Sequence, residues 1–349
     1  MRRLLLVALL LLLTVEVRAQ QIILDPLNTQ VVSYKDDFGV ATSNSGAVGE
    51  LSWPVLTIGG APTITAPSGV WPNLGIIQLA TTVTTGQGCT IMQGGTTSAG
   101  NVKSPLGLLG AKANWDSYFI FKLTQTTTTG FFIGYMTEGT GVTVVNEIAT
   151  TKFIGLRYDT QPKLTSVTAG AIVRTSGVVV VTTASSHGLH IGEDVTIAGA
   201  TGCTTDPNGT FTILNDSNFS ATVLAFTQAG VDESCGGGGA TALGAGEPNG
   251  HFQLETISLN AGTGYGTVID TGVVADTNWH KIRIRSNTVG TILFTLYDST
   301  GVIEMDETPI STNVDASTNF SPMAQIVSRT GSVSMQFDYW GFKAAGLSR

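Results

Sequence analysis

Hydrolysis of a glycosidic bond with retention needs two carboxylates about 5 Å apart across the scissile bond. On a single strand, acids at i and i+4 with one face in common meet that spacing. The nearest approach in this chain is Glu304-Met305-Asp306-Glu307. Glu304 and Asp306 share a face, but Glu307 points the other way and position 308 is Thr, so the run reads as a polar strand end or turn. The histidines are His187, His190, His251 and His280, and none has a cysteine in local register with it. No Gly-x-Ser-x-Gly elbow is present, and no His/Cys spacing fits zinc. No catalytic residue, metal site or cofactor is therefore expected, and a glycosidase or lyase is the least favoured reading.

Oxygen clusters give two weaker signals. Asp36 and Asp37 would approach Asp338 if the first and last strands paired, which could hold Ca²⁺; a solvated acidic loop is the commoner outcome of such a pattern. Asp206-Pro207-Asn208-Gly209 reads as a turn. For ligand contact the aromatic candidates are Trp53, Trp71, Trp115, Trp279 and Trp340. Trp279 and Trp340 fall on outward faces of their strands if the apolar residues beside them face the core. An outward Trp there stacks on a sugar, or it packs under a neighbouring module or another subunit, and the sequence leaves both open.

The elements that would position these residues are strands. Beyond the N-terminal segment, no window carries a capped i, i+3, i+4, i+7 apolar pattern. Period two recurs instead. In Trp279-His280-Lys281-Ile282-Arg283-Ile284-Arg285 the isoleucines face one way and the cations the other. Ile292, Phe294 and Leu296 repeat this after a turn-forming stretch at Asn287 to Gly290. Val333, Met335, Phe337 and Tyr339 share one face, opposite Ser334, Gln336 and Asp338. Tyr118-Phe119-Ile120-Phe121 and Phe131-Phe132-Ile133-Gly134-Tyr135 read as central strands buried on both sides. The pattern is that of a sandwich.

The N-terminus reads as a signal peptide, residues 1–19. Arg2 and Arg3 precede an apolar run from Leu4 to Val15, and Val17-Arg18-Ala19 supplies small residues for cleavage after Ala19. The run falls well short of the about 20 residues a spanning helix needs, although an uncleaved anchor is the alternative. No lipobox Cys follows. Export to the periplasm, cell surface or exterior is expected, with a virion as a further destination. The formal charge is −8, and removing Arg2, Arg3, Arg18 and Glu16 takes it to −10. So acidic a chain lacks the footprint for nucleic acid or for anionic membrane surfaces. No membrane association is expected after cleavage.

Between about Ala169 and Thr241 the texture changes. Aromatics fall to Phe211, Phe219 and Phe226, and short Val/Thr runs alternate with Gly, Asn and Asp. Gln161-Pro162 and the glycine-rich stretch from Cys235 to Gly246 mark the edges. The expectation is an all-β chain with a first sandwich part at 20–165, a small inserted module at 166–245 and a second sandwich part at 246–349.

Two resemblances sharpen this. The flanking parts resemble concanavalin A-like (jelly-roll) modules of bacteriophage fibre and other virion proteins. The stretches that carry it are Pro72-Asn73-Leu74-Gly75-Ile76-Ile77-Gln78-Leu79, Phe131 to Tyr135, Phe153-Ile154-Gly155-Leu156-Arg157-Tyr158-Asp159 and Asp270-Thr271-Gly272 leading into Trp279 to Ile284. Met323-Ala324-Gln325-Ile326-Val327 and Phe337-Asp338-Tyr339-Trp340 close it. The middle section resembles a small β-barrel repeat of phage tail and bacterial surface proteins, related to a barrel of ubiquitin-activating enzymes. It does so through Val178-Val179-Val180-Val181-Thr182-Thr183, His187-Gly188-Leu189, Gly192-Glu193-Asp194-Val195-Thr196-Ile197, Gly199, Asn208 to Ile213 and Asn218-Phe219-Ser220. These resemblances imply folding motifs, a spacer or interaction role for the barrel, and often a trimer for fibre modules.

Cys203 and Cys235 fall in loops of the insert where that barrel family carries polar or small residues. A disulfide is expected between them in an oxidising compartment, two separate thiols being the alternative; Cys89 is expected as a buried free thiol. The reading that results is a non-catalytic exported structural or adhesive component, whose partners are glycans or cell-surface or virion proteins. The alternative is a secreted carbohydrate-binding, lectin-like module.

Overall fold

The computed structural model describes residues 31–36, 38, 47–48, 53–58, 63–65, 75–93, 114–137 and 152–160, and most of 167–345 with short internal breaks. Residues 1–30, Asp37 and Trp71 lie outside the described residues. Every regular element among those described is a strand. The first nine are β1 (Val31–Asp36), β2 (Ala47–Val48), β3 (Trp53–Ile58), β4 (Thr63–Thr65), β5 (Ile77–Ala80), β6 (Gly88–Met92), β7 (Asn114–Leu123), β8 (Thr129–Thr137) and β9 (Phe153–Asp159). The middle section holds β10 (Val167–Thr175), β11 (Val178–Thr183), β12 (Asp194–Ala198), β13 (Gly209–Thr212), β14 (Val223–Thr227), β15 (Glu233–Gly236) and β16 (Thr241–Ala245). The rest are β17 (His251–Asn260), β18 (Thr263–Val274), β19 (Trp279–Ser286), β20 (Ile292–Tyr297), β21 (Ile303–Ile310), β22 (Phe320–Ser328) and β23 (Ser334–Ala345).

Two eight-stranded antiparallel sheets form the main body. The first runs β21-β20-β19-β7-β23-β5-β4, with β1 also paired to β23; the second runs β18-β17-β9-β8-β22-β6-β3-β2. The chain passes from one to the other repeatedly, at β5 to β6, β6 to β7, β7 to β8, β18 to β19, β21 to β22 and β22 to β23. One continuous core joins them: Phe119, Phe121, Ile282, Phe294, Phe337 and Trp340 of the first sheet meet Trp53, Ile91, Phe131, Tyr135, Leu156 and Phe252 of the second. Double-sheet layout, antiparallel pairing and shared inner faces make this an all-β sandwich of the jelly-roll class.

Strands β10 to β16 form a separate seven-stranded sheet with its own core, built on Val179, Val181, Val195, Ile197, Leu224 and Phe226. The chain leaves the sandwich after β9 and re-enters at β17, and those two strands are neighbours in the second sheet.

Alternation fixes which side chains leave the core. Along β19, Trp279, Lys281, Arg283 and Arg285 are half-buried outward residues, while His280, Ile282, Ile284 and Ser286 are buried. β7 alternates likewise, so Tyr118 and Ile120 face outward, and this strand is not buried on both sides as its apolar run suggests. The Phe131–Tyr135 run in β8 is buried throughout. Strand β23 departs from simple alternation. Its register against β7 shifts between Phe337 and Tyr339, where Asp338 is the extra residue of a bulge. Met335 and Phe337 face the core before the bulge; Trp340, Phe342 and Ala344 face it afterwards. Tyr339 is turned outward.

Candidate functional site

The bulge corrects one site residue. Trp340 is fully buried, edge-on to Trp53 at 5.3 Å between ring centroids, and presents nothing to a ligand. Trp279 is half-buried on the outward face of the first sheet, as its alternation implies.

Around Trp279 the register assembles a polar, aromatic surface. Trp279 lies opposite Lys122, Lys281 opposite Ile120, Arg283 opposite Tyr118 and Arg285 opposite Asp116. On the other side Lys281 faces Tyr297. The Lys281 ammonium sits 4.1 Å from the Tyr297 ring centroid and 5.4 Å from that of Tyr118. The Arg283 guanidinium lies 5.3 Å from the Tyr118 ring and donates from Nε to Asp116 Oδ1 at 2.9 Å. Arg285 pairs with Glu307. Cations stacked on aromatic faces at strand spacing hold both partners in fixed orientation.

A second constellation lies on the far face of the second sheet, the side away from the sandwich core. Alternation there brings Arg157 and Asp159 of β9 beside Gln253 and Glu255 of β17. Arg157 Nε donates to Gln253 Oε1 at 2.7 Å and its Nη1 to Glu255 Oε1 at 3.2 Å. From the middle section, Glu193 pairs with the same guanidinium, and His190 Nδ1 lies 2.9 Å from Glu255 Oε1. All four charged residues are at most 2% exposed. Burial alone would push the His190 imidazole down, but Glu193 and then Glu255 outweigh it and hold it above its usual value. Burial pushes the Glu255 carboxyl up, yet Arg157 and then His190 hold it below the usual carboxylate range. The ionised set is two cations against two carboxylates, with neutral charge overall. Next to it, Arg329 Nε donates to Asp159 Oδ1 at 2.8 Å, again between buried groups.

This network ties the middle sheet to the sandwich. Val268 N donates to Ile191 O at 2.7 Å, bridging the two units by backbone. Two glycines permit the approach. A Cβ on Gly192, whose φ is +87°, would meet Val268 O at 2.0 Å; one on Gly266 would meet the His190 ring at 2.7 Å. The Gly192-Glu193-Asp194 stretch of the sequence motif is thus part of the docking segment. His187 of the same motif is internal to the middle section, with Nδ1 accepting from Leu189 N at 3.0 Å and Nε2 facing Ser220 O at 2.8 Å.

His190, Glu193 and Glu255 have ligand atoms close enough together for a cation. The Arg157 guanidinium already supplies the positive charge there, and a cation would have to compete with it. Sequence spacing did not reveal this cluster, because Arg157 and Glu255 lie far along the chain from His190 and Glu193. The available signal was the presence of Arg157 and Asp159 within an otherwise apolar strand.

The other candidates are structural. Asp36 lies opposite Trp340, since β1 and β23 pair, and its buried carboxylate accepts from Trp53 Nε1 at 3.0 Å and from Phe38 N at 2.8 Å. The acidic run on β21 is divided between two partners: Glu304 Oε2 is 3.0 Å from His280 Nδ1, and Glu307 pairs with Arg285. Cys89 is a buried free thiol, pushed up to about 12 by burial. Cys203 and Cys235 are disulfide-bonded, closing a separation of 32 residues. A bridge of that span contributes about 3 kcal/mol in the chain-entropy model. The double variant Cys203→Ser/Cys235→Ser is expected to lose about that much stability in urea denaturation, and reductant is expected to lower the native protein to match it.

Comparison with family models and with curated proteins finds no match. Among solved structures, a protein of unknown function, SO2946 from Shewanella oneidensis MR-1, aligns at 11% identity and a TM-score of 0.38, over 97% of this chain and 95% of that one. Peanut lectin aligns at 11% identity and 0.36, over 91% and 100%. An endo-β-1,4-glucuronan lyase from the fungus Trichoderma reesei aligns at 10% identity and 0.36, over 90% and 95%. The class of the chain, an all-β jelly-roll sandwich, rests on its own sheet topology, and no activity transfers at such scores.

Proposed function

We propose that the protein is a non-catalytic, lectin-like adhesive component that contacts carbohydrate through the outward face of the first sheet. The observation that carries this is the set of half-buried rings Tyr118, Trp279 and Tyr297 on three adjacent strands, with Lys281 over Tyr118 and Tyr297 and Arg283 over Tyr118. Half-buried aromatic side chains on one sheet face offer the apolar platform that a sugar face requires at low entropic cost. Export after Ala19, the middle section as an inserted barrel-like spacer, and assembly into trimers belong to the same proposal. A surface- or fibre-component reading is favoured if this face packs on another copy instead, because half-buried aromatics serve a subunit interface equally well.

The test is a glycan array on the full chain, paired with light scattering. Sugar binding is expected, and Trp279→Ala is expected to weaken it by about tenfold or more. Absence of any glycan binding, together with a stable oligomer, would replace this reading with the fibre-component one.

A further inference from the structure

We propose that the carbohydrate taken by this face is acidic, carrying carboxylate or sulfate groups, and that Lys122 and Lys281 receive them. The inference rests on the lectin-like reading and specifies its ligand class.

The charges of the face divide into two regions. At one end the carboxylates are occupied: Asp116 holds Arg283 through its 2.9 Å hydrogen bond, and Glu307 holds Arg285. Glu304, on the same edge strand, is engaged with His280 at 3.0 Å, and Asp306 Oδ1 accepts from Glu307 N at 2.9 Å. At the other end stand Lys122 and Lys281. Neither forms an ion pair with a carboxylate among the described residues. Lys122 lies opposite Trp279 on one side and Gln336 on the other; Lys281 lies opposite Ile120 and Tyr297.

Lys122 and Lys281 therefore occupy diagonal cross-strand positions with Trp279 and Ile120 between them, two like charges on one face with no carboxylate ion pair among the described residues. Asp338, at the bulge on β23, is largely buried. The chain as a whole carries −8, so its general field repels anionic polymers, and local unpaired ammoniums are what would overcome that. The half-buried Lys281 holds its ammonium 4.1 Å from the Tyr297 ring centroid and 5.4 Å from that of Tyr118, with aromatic faces rather than a carboxylate as its partners. An anionic group there would gain a charge-assisted contact while the sugar ring lies over Trp279.

Isothermal titration of the full chain with two pairs of polymers separates the possibilities. Polygalacturonate is compared with its methyl ester, and dextran sulfate with dextran. The acidic member of at least one pair is expected to bind about tenfold tighter or more than its neutral counterpart, with affinity falling as salt rises. Which pair responds distinguishes carboxylate from sulfate. Lys122→Met is expected to erase most of that preference while leaving neutral-polymer binding unchanged; Lys281→Met, which also removes the cation over Tyr118 and Tyr297, is expected to erase the preference and to weaken neutral-polymer binding as well. Equal binding of acidic and neutral polymers, or acidic binding indifferent to both lysine variants, overturns the inference. If neutral polymer binds and Trp279→Ala abolishes it, the lectin-like reading stands while the acidic specificity falls. If no polymer binds, the acidic specificity falls, and the glycan array decides the lectin-like reading separately.

Discussion

Arg157→Met is expected to cost about 3–5 kcal/mol of folding stability, the penalty for leaving buried carboxylates without their cation. The guanidinium holds Gln253, Glu255 and Glu193 at once, and none of the charged partners is more than 2% exposed. Water cannot take over its role. Urea denaturation followed by circular dichroism measures the loss. The triple variant Arg157→Met/Glu193→Gln/Glu255→Gln is expected to recover most of it, since uncharged groups carry a smaller desolvation penalty. A single variant as stable as the native chain would mean that the network contributes nothing.

The same network has a defined pH window. Glu255 is held below its usual range, so its contribution is present above the unfolded carboxyl value and is lost as pH falls through the lower folded one. His190 is held above its usual range, so its contribution is complete below the unfolded imidazole value and is lost as pH rises through the higher folded one. Native stability should therefore be greatest between those limits. In Arg157→Met the uncompensated carboxylates favour protonation, and the deficit should narrow as pH falls.

Trp340→Ala is expected to cost about 3–5 kcal/mol, the usual penalty for emptying a fully buried aromatic site. Trp340 contacts Trp53 edge-on and stacks with Phe342 at 6.1 Å, within the core that joins both sheets. Trp279→Ala, on the half-buried outward face, is expected to stay within about 1 kcal/mol of the native chain. Urea midpoints of the two variants, measured side by side, check both values. Equal losses would mean that Trp340 does not occupy the core position the bulge gives it.

These two tryptophans also mark how far sequence patterning reaches. Strand β19 was legible because its alternation is uninterrupted from Trp279 to Ser286, and each residue type agrees with its face. Strand β23 carries just as clear an alternation, and it misleads after Phe337. One extra residue at Asp338 flips every later side chain, and neither Asp338 nor its neighbours carry a local mark of the bulge. In β7 the run Tyr118 to Phe121 looked uniformly apolar, yet Tyr118 and Ile120 face outward, because aromatic and β-branched residues also suit an exposed sheet face. The Arg157 network lay beyond patterning for a different reason. Its hydrogen bonds join residues 96 and 98 positions apart, and only the pairing of β9 with β17 puts them on one face.

That pairing also sets an order of assembly. Strand β7 acquires its neighbours β19 and β23 only after the whole middle section has been synthesised, and Trp115 finds its partner position at Ala344. Among the described residues, strands β10 to β16 pair only with one another, and the bridge from Ile191 to Thr267 joins their section to the sandwich, so that unit can close while the sandwich is still half made. Distant pairings carry a larger loop-closure cost and form slowly. On the growing chain the middle unit is therefore expected to be the first finished piece. The sandwich is then expected to condense around its two attachment points, Glu193 and His190 receiving Arg157 and Glu255 from the β9–β17 pair.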